Sequence, residues 1–110
     1  MPKQFKKYLK RVCKLVSGPN PYPSGGFKVA LPLRKVKYAT VKYIGNGEYI
    51  AQILTKEQDD TLNDNEVRIF VRDNIEQAVD EGGTATYTIG GEVGAVDLSG
   101  EKFLIVAEGY

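Results

Sequence analysis

The sequence predicts a mainly β protein, a small six- to seven-stranded antiparallel barrel or sandwich with an N-terminal amphipathic helix and one short internal helix. Three observations predict it. From Phe27 onward, short runs of alternating or β-branched residues are separated by Gly, Asn and Asp turn signals. Before that, apolar residues recur at helical spacing. Between the fourth and fifth expected strands, Asp73 and Glu76 have the spacing of a helix capping box.

The elements follow in order. Phe5, Tyr8, Leu9, Val12, Cys13 and Val16 form one stripe on a helix, with Lys6, Lys7, Lys10, Arg11 and Lys14 around the rest of its circumference. Pro2 suits a first helical position, Gly18 suits the position just past the end, and Pro19 forbids continuation. Residues 1–17 therefore read as a basic amphipathic helical arm. Residues 18–26 hold Pro19, Pro21, Pro23, Gly25 and Gly26, and read as an extended, semi-rigid spacer. Residues 27–110 read as the β domain.

Within that domain FKVALPL is a strand that Pro32 confines to an edge or a bulge. VKYATVKYI and EYIAQIL flank Gly45-Asn46-Gly47 and read as a hairpin. A three-residue loop would pair Tyr43 with Tyr49, Val41 with Ala51 and Ala39 with Ile53, with Gly47 in the left-handed region. Residues 55–65 form a polar, acidic loop. EVRIFVR alternates, with Val67, Ile69 and Val71 inward and Arg68, Phe70 and Arg72 outward. NIEQAVDE then reads as the short helix, stopped by Gly82-Gly83. TATYTI and EVGAVDL flank Gly90-Gly91 as a second hairpin, and KFLIVAEGY closes the chain.

The net charge of +1 conceals a division. Residues 1–47 carry eleven Lys or Arg and no acid, whereas residues 48–110 carry four bases and fourteen acids. Such asymmetry points to an interaction arm, a charged partner, or basic and acidic strands that pair across a sheet.

Composition also removes chemistries. There is no histidine, so His-based triads and Cys/His zinc sites are excluded. The single cysteine, Cys13, forbids an intrachain disulfide and reads as a structural thiol on the apolar stripe. No Walker A or dinucleotide motif is present. The acidic loop around Asp59, Asp60, Asp64 and Glu66 lacks the spacing and turn glycine of a calcium loop. No catalytic residue, metal or cofactor is assigned, and no enzyme is expected.

The expected function is structural: a non-enzymatic subunit of a larger homo- or hetero-oligomeric assembly, of the virion capsid or cement type, placed inside the cell or in the virion. Its helical arm would dock on a neighbouring chain, with Phe5, Tyr8, Leu9 and Val12 as apolar anchors. Lys6, Lys7, Lys10, Arg11 and Lys14 would steer the encounter. The alternative is a nucleic-acid-binding barrel using Lys37, Lys42, Arg68, Arg72, Tyr38 and Phe70, basic strands interleaved with aromatics. Its element order resembles that of an OB-fold in topology. A membrane surface is disfavoured, because the apolar stripe lacks Trp and is about four turns long.

Overall fold

A computed structural model describes residues 9–73, 75–79, 81–83, 85–89 and 91–110. Among these the chain forms eight strands and no helix: β1 Lys10–Ser17, β2 Phe27–Ala30, β3 Val36–Ile44, β4 Tyr49–Leu54, β5 Glu66–Asp73, β6 Ile75–Val79, β7 Ala85–Ile89 and β8 Lys102–Gly109. Two three-stranded antiparallel sheets result, sheet I in the order β1-β8-β3 and sheet II in the order β2-β5-β4. The pair β6-β7 stands as a separate ribbon.

Period-2 alternation explains how the sheets share one interior. Phe103, Ile105 and Ala107 on β8, and Val67, Ile69 and Val71 on β5, are almost wholly buried. The inward orientation expected for EVRIFVR is thus observed. Val12 and Val16 of β1, Ala39, Val41 and Tyr43 of β3, and Tyr49, Ala51 and Ile53 of β4 pack against the same cluster. At Lys37 the register between β3 and β8 slips, which lets both Val36 and Ala39 face inward although they are three residues apart. A chain of rings, Tyr22–Phe27–Phe103–Tyr43–Tyr49, crosses the interior with centroid separations of 6.4, 5.8, 5.7 and 5.5 Å. Offset and edge-on pairs of this kind add roughly 0.5–1.5 kcal/mol each beyond their buried area.

The expected N-terminal helix is corrected over its described part. Residues Lys10–Ser17 pair with β8 along eight residues, from Lys10 opposite Gly109 to Ser17 opposite Lys102. The reason is tertiary. A helix would leave one edge of β8 unpaired, whereas a strand satisfies that edge and still covers the core with Val12 and Val16. Fourteen residues of helix are marginal alone in water, so the ladder prevails. Phe5, Lys6, Lys7 and Tyr8 lie outside the described residues.

The internal helix is corrected too. Ile75–Val79 is strand β6, paired with β7 in the same offset that sets Arg72 opposite Glu92. The ribbon therefore keeps the offset of the bridge at Arg72, and Gly82-Gly83, expected to stop a helix, lies in the turn between β6 and β7. Gly83 there takes a φ of 81°. The second hairpin expected around Gly90-Gly91 is absent in that form: β7 pairs with β6, and 92–98 holds only the bridge from Glu92. With the internal helix gone, the OB-like element order goes with it.

The Gly45-Asn46-Gly47 turn joins two sheets rather than two paired strands. Val41 and Ala39 lie opposite Ile105 and Ala107, while Ala51 and Ile53 lie opposite Val71 and Ile69. Tyr43 and Tyr49 still meet, edge to face, because the turn brings the sheets together at this corner. Gly47 is not in the left-handed region. A side chain there would come within 2.6 Å of the Tyr49 ring, and the Gly47 N–H donates to the Tyr43 hydroxyl at 2.7 Å.

Residues 18–26 are bonded into the body. The Tyr22 N–H donates to Val96 O (2.8 Å) and the Leu98 N–H to Pro19 O (2.9 Å). Tyr22 is 1% exposed, and its hydroxyl accepts from the Val71 N–H at 3.1 Å. Phe27–Ala30 forms an edge strand, as expected, but it ends before Pro32 rather than including it.

Candidate docking face

The outer face of sheet I is set by the two ladders on β8. Arg11, Glu108 and Tyr38 form one row across it; Cys13, Val106 and Thr40 the next; Leu15, Leu104 and Lys42 the third; Ser17, Lys102 and Ile44 the last. Its centre is apolar. Leu15 is 58% exposed, Tyr38 65% and Ile44 45%, and Leu9, just before β1, is 46% exposed. Four of the five large apolar residues that are exposed among the described residues therefore lie on this face or at its border. Contiguous exposed apolar surface on a folded chain marks an interaction site more often than scattered residues do.

Tyr38 stands between two shallow hollows. One, of about 250 Å³, is lined by Arg11, Tyr38, Thr40, Val106 and Glu108. The other, of about 360 Å³, opens between β3 and the turn at Thr55, Glu57 and Gln58.

The charges are arranged unevenly. Arg11 donates to Glu108 Oε1 at 2.7 and 3.1 Å, and this hydrogen bond and charge raise the Arg11 pKa. Lys102 donates to Ser17 Oγ at 2.5 Å. With Glu108 committed to Arg11, Lys42 and Lys102 leave the face net positive.

The residues expected to form the arm do not share this face. Leu9 and Lys10 are exposed and Arg11 is on the outer face, but Val12 turns inward onto the core. Lys14 reaches across to sheet II, where its Nζ donates to Ala30 O at 3.0 Å. The expected nucleic-acid residues are also divided. Tyr38 and Lys42 project from sheet I, Arg68, Phe70 and Arg72 from sheet II, and Lys37 sits at the register slip. Arg68 is engaged within the chain: Nε donates to Asp59 Oδ2 at 2.7 Å, Nη1 to Gly25 O at 3.2 Å and Nη2 to Thr61 Oγ1 at 3.4 Å. Arg72 Nε donates to Gln52 Oε1 at 2.9 Å.

Elsewhere several carboxylates have internal partners. Asp59 is held down to about 2 by the Thr61 hydroxyl first and Arg68 second. Glu66 accepts from the Asn63 N–H at 2.8 Å, so the acidic loop organises its own backbone. Glu92 accepts from the Gly25 N–H at 2.6 Å. Tyr43 donates to Glu101, and its hydroxyl pKa is raised by burial and by that carboxylate. Among the described residues no buried side-chain nitrogen or oxygen lacks a partner, and no cluster of potential metal ligands occurs.

Leu15, Cys13, Leu104, Val106 and Ile44 were not singled out by sequence reasoning as a surface. One signal was available: Phe103–Ala107 is an unbroken apolar run, which marks a strand covered on both faces rather than one. No protein-family model, curated protein or solved structure matches the chain.

Proposed function

We propose that this chain is a non-enzymatic structural subunit of a larger protein assembly, of the virion capsid or cement type. It docks on a neighbouring chain through the outer face of sheet I and the N-terminal segment leading into it. The fold that goes with this reading is a small barrel or sandwich closed over the shared core. Such a subunit works inside the cell or in the particle. The observation that carries the reading is the exposure of Leu15, Tyr38 and Ile44 on the two edge strands that flank Leu104 and Val106 of a three-stranded sheet.

The experiment is sedimentation of the full chain across a concentration series, beside a Leu15→Glu/Tyr38→Glu variant. The reading expects mass above the monomer, or a stoichiometric bound protein, that the variant loses while keeping its fold. The alternative, a nucleic-acid-binding barrel, draws support from Lys42 and Tyr38, both exposed on the outer face of β3. A strictly monomeric chain that binds single-stranded nucleic acid with steep salt dependence, abolished by Lys42→Ala, would overturn the assembly reading in its favour.

A further inference from the structure

The outer face of sheet I carries a pattern that matches itself when turned over. On the central strand β8, Ile105 is the midpoint between Lys102 at one end and Glu108 at the other, with Leu104 and Val106 on either side of it. The flanking strands share these rows, with Arg11, Cys13, Leu15 and Ser17 on β1 and Tyr38, Thr40, Lys42 and Ile44 on β3. A second copy can be laid on this face about a two-fold axis that crosses the strands at Ile105. Each strand then runs antiparallel over its own counterpart, about 10 Å away, and the order of the rows is reversed.

In that arrangement Leu104 falls opposite Val106, Leu15 opposite Cys13 and Tyr38 opposite Ile44, each contact occurring twice, as the symmetry requires. At both ends the Glu108 carboxylate falls opposite Lys102 of the other copy. Both Arg11 bonds end on Glu108 Oε1, so Oε2 can accept from that lysine. The remaining facing pairs, Thr40 with Lys42 and Arg11 with Ser17, bring no like charges together. The two Lys42 residues lie about 12 Å apart between backbones. That exceeds the Debye length of ~10 Å at 0.1 M salt, and from an edge strand their ammonium groups can turn to water. The other face-to-face axis, along the strands, would stack Glu108 on Glu108 and Lys102 on Lys102 and set Leu15 against Lys42. Like charges brought together oppose it.

We propose that two copies of this chain pair through the outer faces of sheet I, strands antiparallel, about a two-fold axis at Ile105. This rests on the assembly reading above and names the neighbour on that face as a second copy. β1 and β8 are each eight residues long, so the face measures about 27 Å by about 14 Å, or roughly 400 Å² in plan. A standard interface covers ~800 Å² on each partner, so the pair is weak and forms as concentration rises. Its ion pairs sit at the two ends of the face, where salt screens them.

Charge reversal in the full-length protein tests the register by sedimentation at low salt. Glu108→Lys sets lysine against Lys102, and Lys102→Glu sets carboxylate against Glu108, so each alone should weaken self-association about tenfold or more. The two changes in one chain exchange the ends and should recover most of that loss, which stacking about the other axis would not give. Circular dichroism and melting temperature establish that each variant is folded. Should the reversals disturb the fold through Arg11 or Ser17, a wild-type cross-link decides. Cys13 is the sole cysteine, and Cys13 of the two copies would lie about 12 Å apart between backbones, too far for a disulfide. A short bismaleimide should therefore yield covalent dimer in step with the sedimenting dimer, and Leu15→Glu should abolish both. Self-association with unchanged strength in the single reversals, no recovery in a folded double variant, or no Cys13 cross-link overturns the two-fold pairing and leaves the assembly reading standing. A wild-type chain that stays monomeric overturns it as well, and confines the assembly reading to a different partner chain.

Discussion

The two sheets share one core but finish their outer faces differently. On sheet II, Arg68 is tied to Asp59, Thr61 and the Gly25 carbonyl, and Arg72 to Gln52; Phe70, Ile50 and Leu54 lie half-buried among them. On sheet I, Leu15, Tyr38 and Ile44 stand open, with Lys42 and Lys102 among them. Sheet II completes its surface from its own chain, using the 55–65 loop and the Pro/Gly segment. Sheet I does not. The contrast marks sheet I as the sheet whose surface chemistry remains unfinished.

The largest expected effect lies in what the sheets have in common. Phe103 touches both Phe27 of sheet II and Tyr43 of sheet I, so Phe103→Ala should cost about 3–5 kcal/mol in equilibrium denaturation. A loss of less than ~1 kcal/mol would mean the sheets do not share a core.

Next is Tyr22, which ties the Pro/Gly segment to the end of sheet II. Burial, opposed in part by the Val71 N–H, pushes its hydroxyl up to about 12, with Glu92 adding to the rise. The unfolded chain loses that proton near pH 10 and the folded chain keeps it to about 12. Stability is then fully present below pH 10 and is lost as pH rises toward 12. Tyr22→Phe should flatten this alkaline loss while leaving the Val71 N–H without its acceptor, at a cost of about 1–3 kcal/mol at neutral pH. Thermal melts across the range check both.

Asp59 gives a smaller effect of opposite sense. Its folded-state pKa of about 2 lies below the ordinary carboxylate range, so its contribution is present above about pH 4 and disappears as pH falls toward 2. Asp59→Asn should reduce the acid-induced drop in melting temperature over that window. Unchanged acid sensitivity would show that the Thr61 and Arg68 contacts do not stabilise the fold.

The smallest effect sharpens the comparison most. Leu15→Ser on the open face should leave folding stability within about 0.5 kcal/mol. Phe70→Ser on the finished face should cost more, because partly buried area and packing are lost.

Much of the β content was legible. Val36–Ile44 appears with the predicted boundaries, and the inward set of EVRIFVR follows from alternation alone. What failed was partner choice. The apolar spacing of residues 5–16 suits a helix, but Val12, Lys14 and Val16 also alternate, and only the free edge of β8, about ninety residues away, selects the strand. Gly45-Asn46-Gly47 marks a reversal correctly without saying that the returning strand joins another sheet. Gly82-Gly83 marks a stop equally well for a helix and for a hairpin. Local signals fix where the chain turns; non-local pairing fixes what it turns onto. The docking face was missed for the same reason, since its rows come from three distant segments.

Cys13 offers the most direct measurement, because it is exposed on the outer face of sheet I, beside Val106. Its alkylation rate should be followed as protein concentration rises, with mass recorded in parallel by sedimentation. The account predicts that the thiol becomes slower to react in step with assembly, and recovers its rate at high salt. A mass that rises while Cys13 reacts at an unchanged rate, or a mass that never exceeds the monomer with no bound protein, would contradict it.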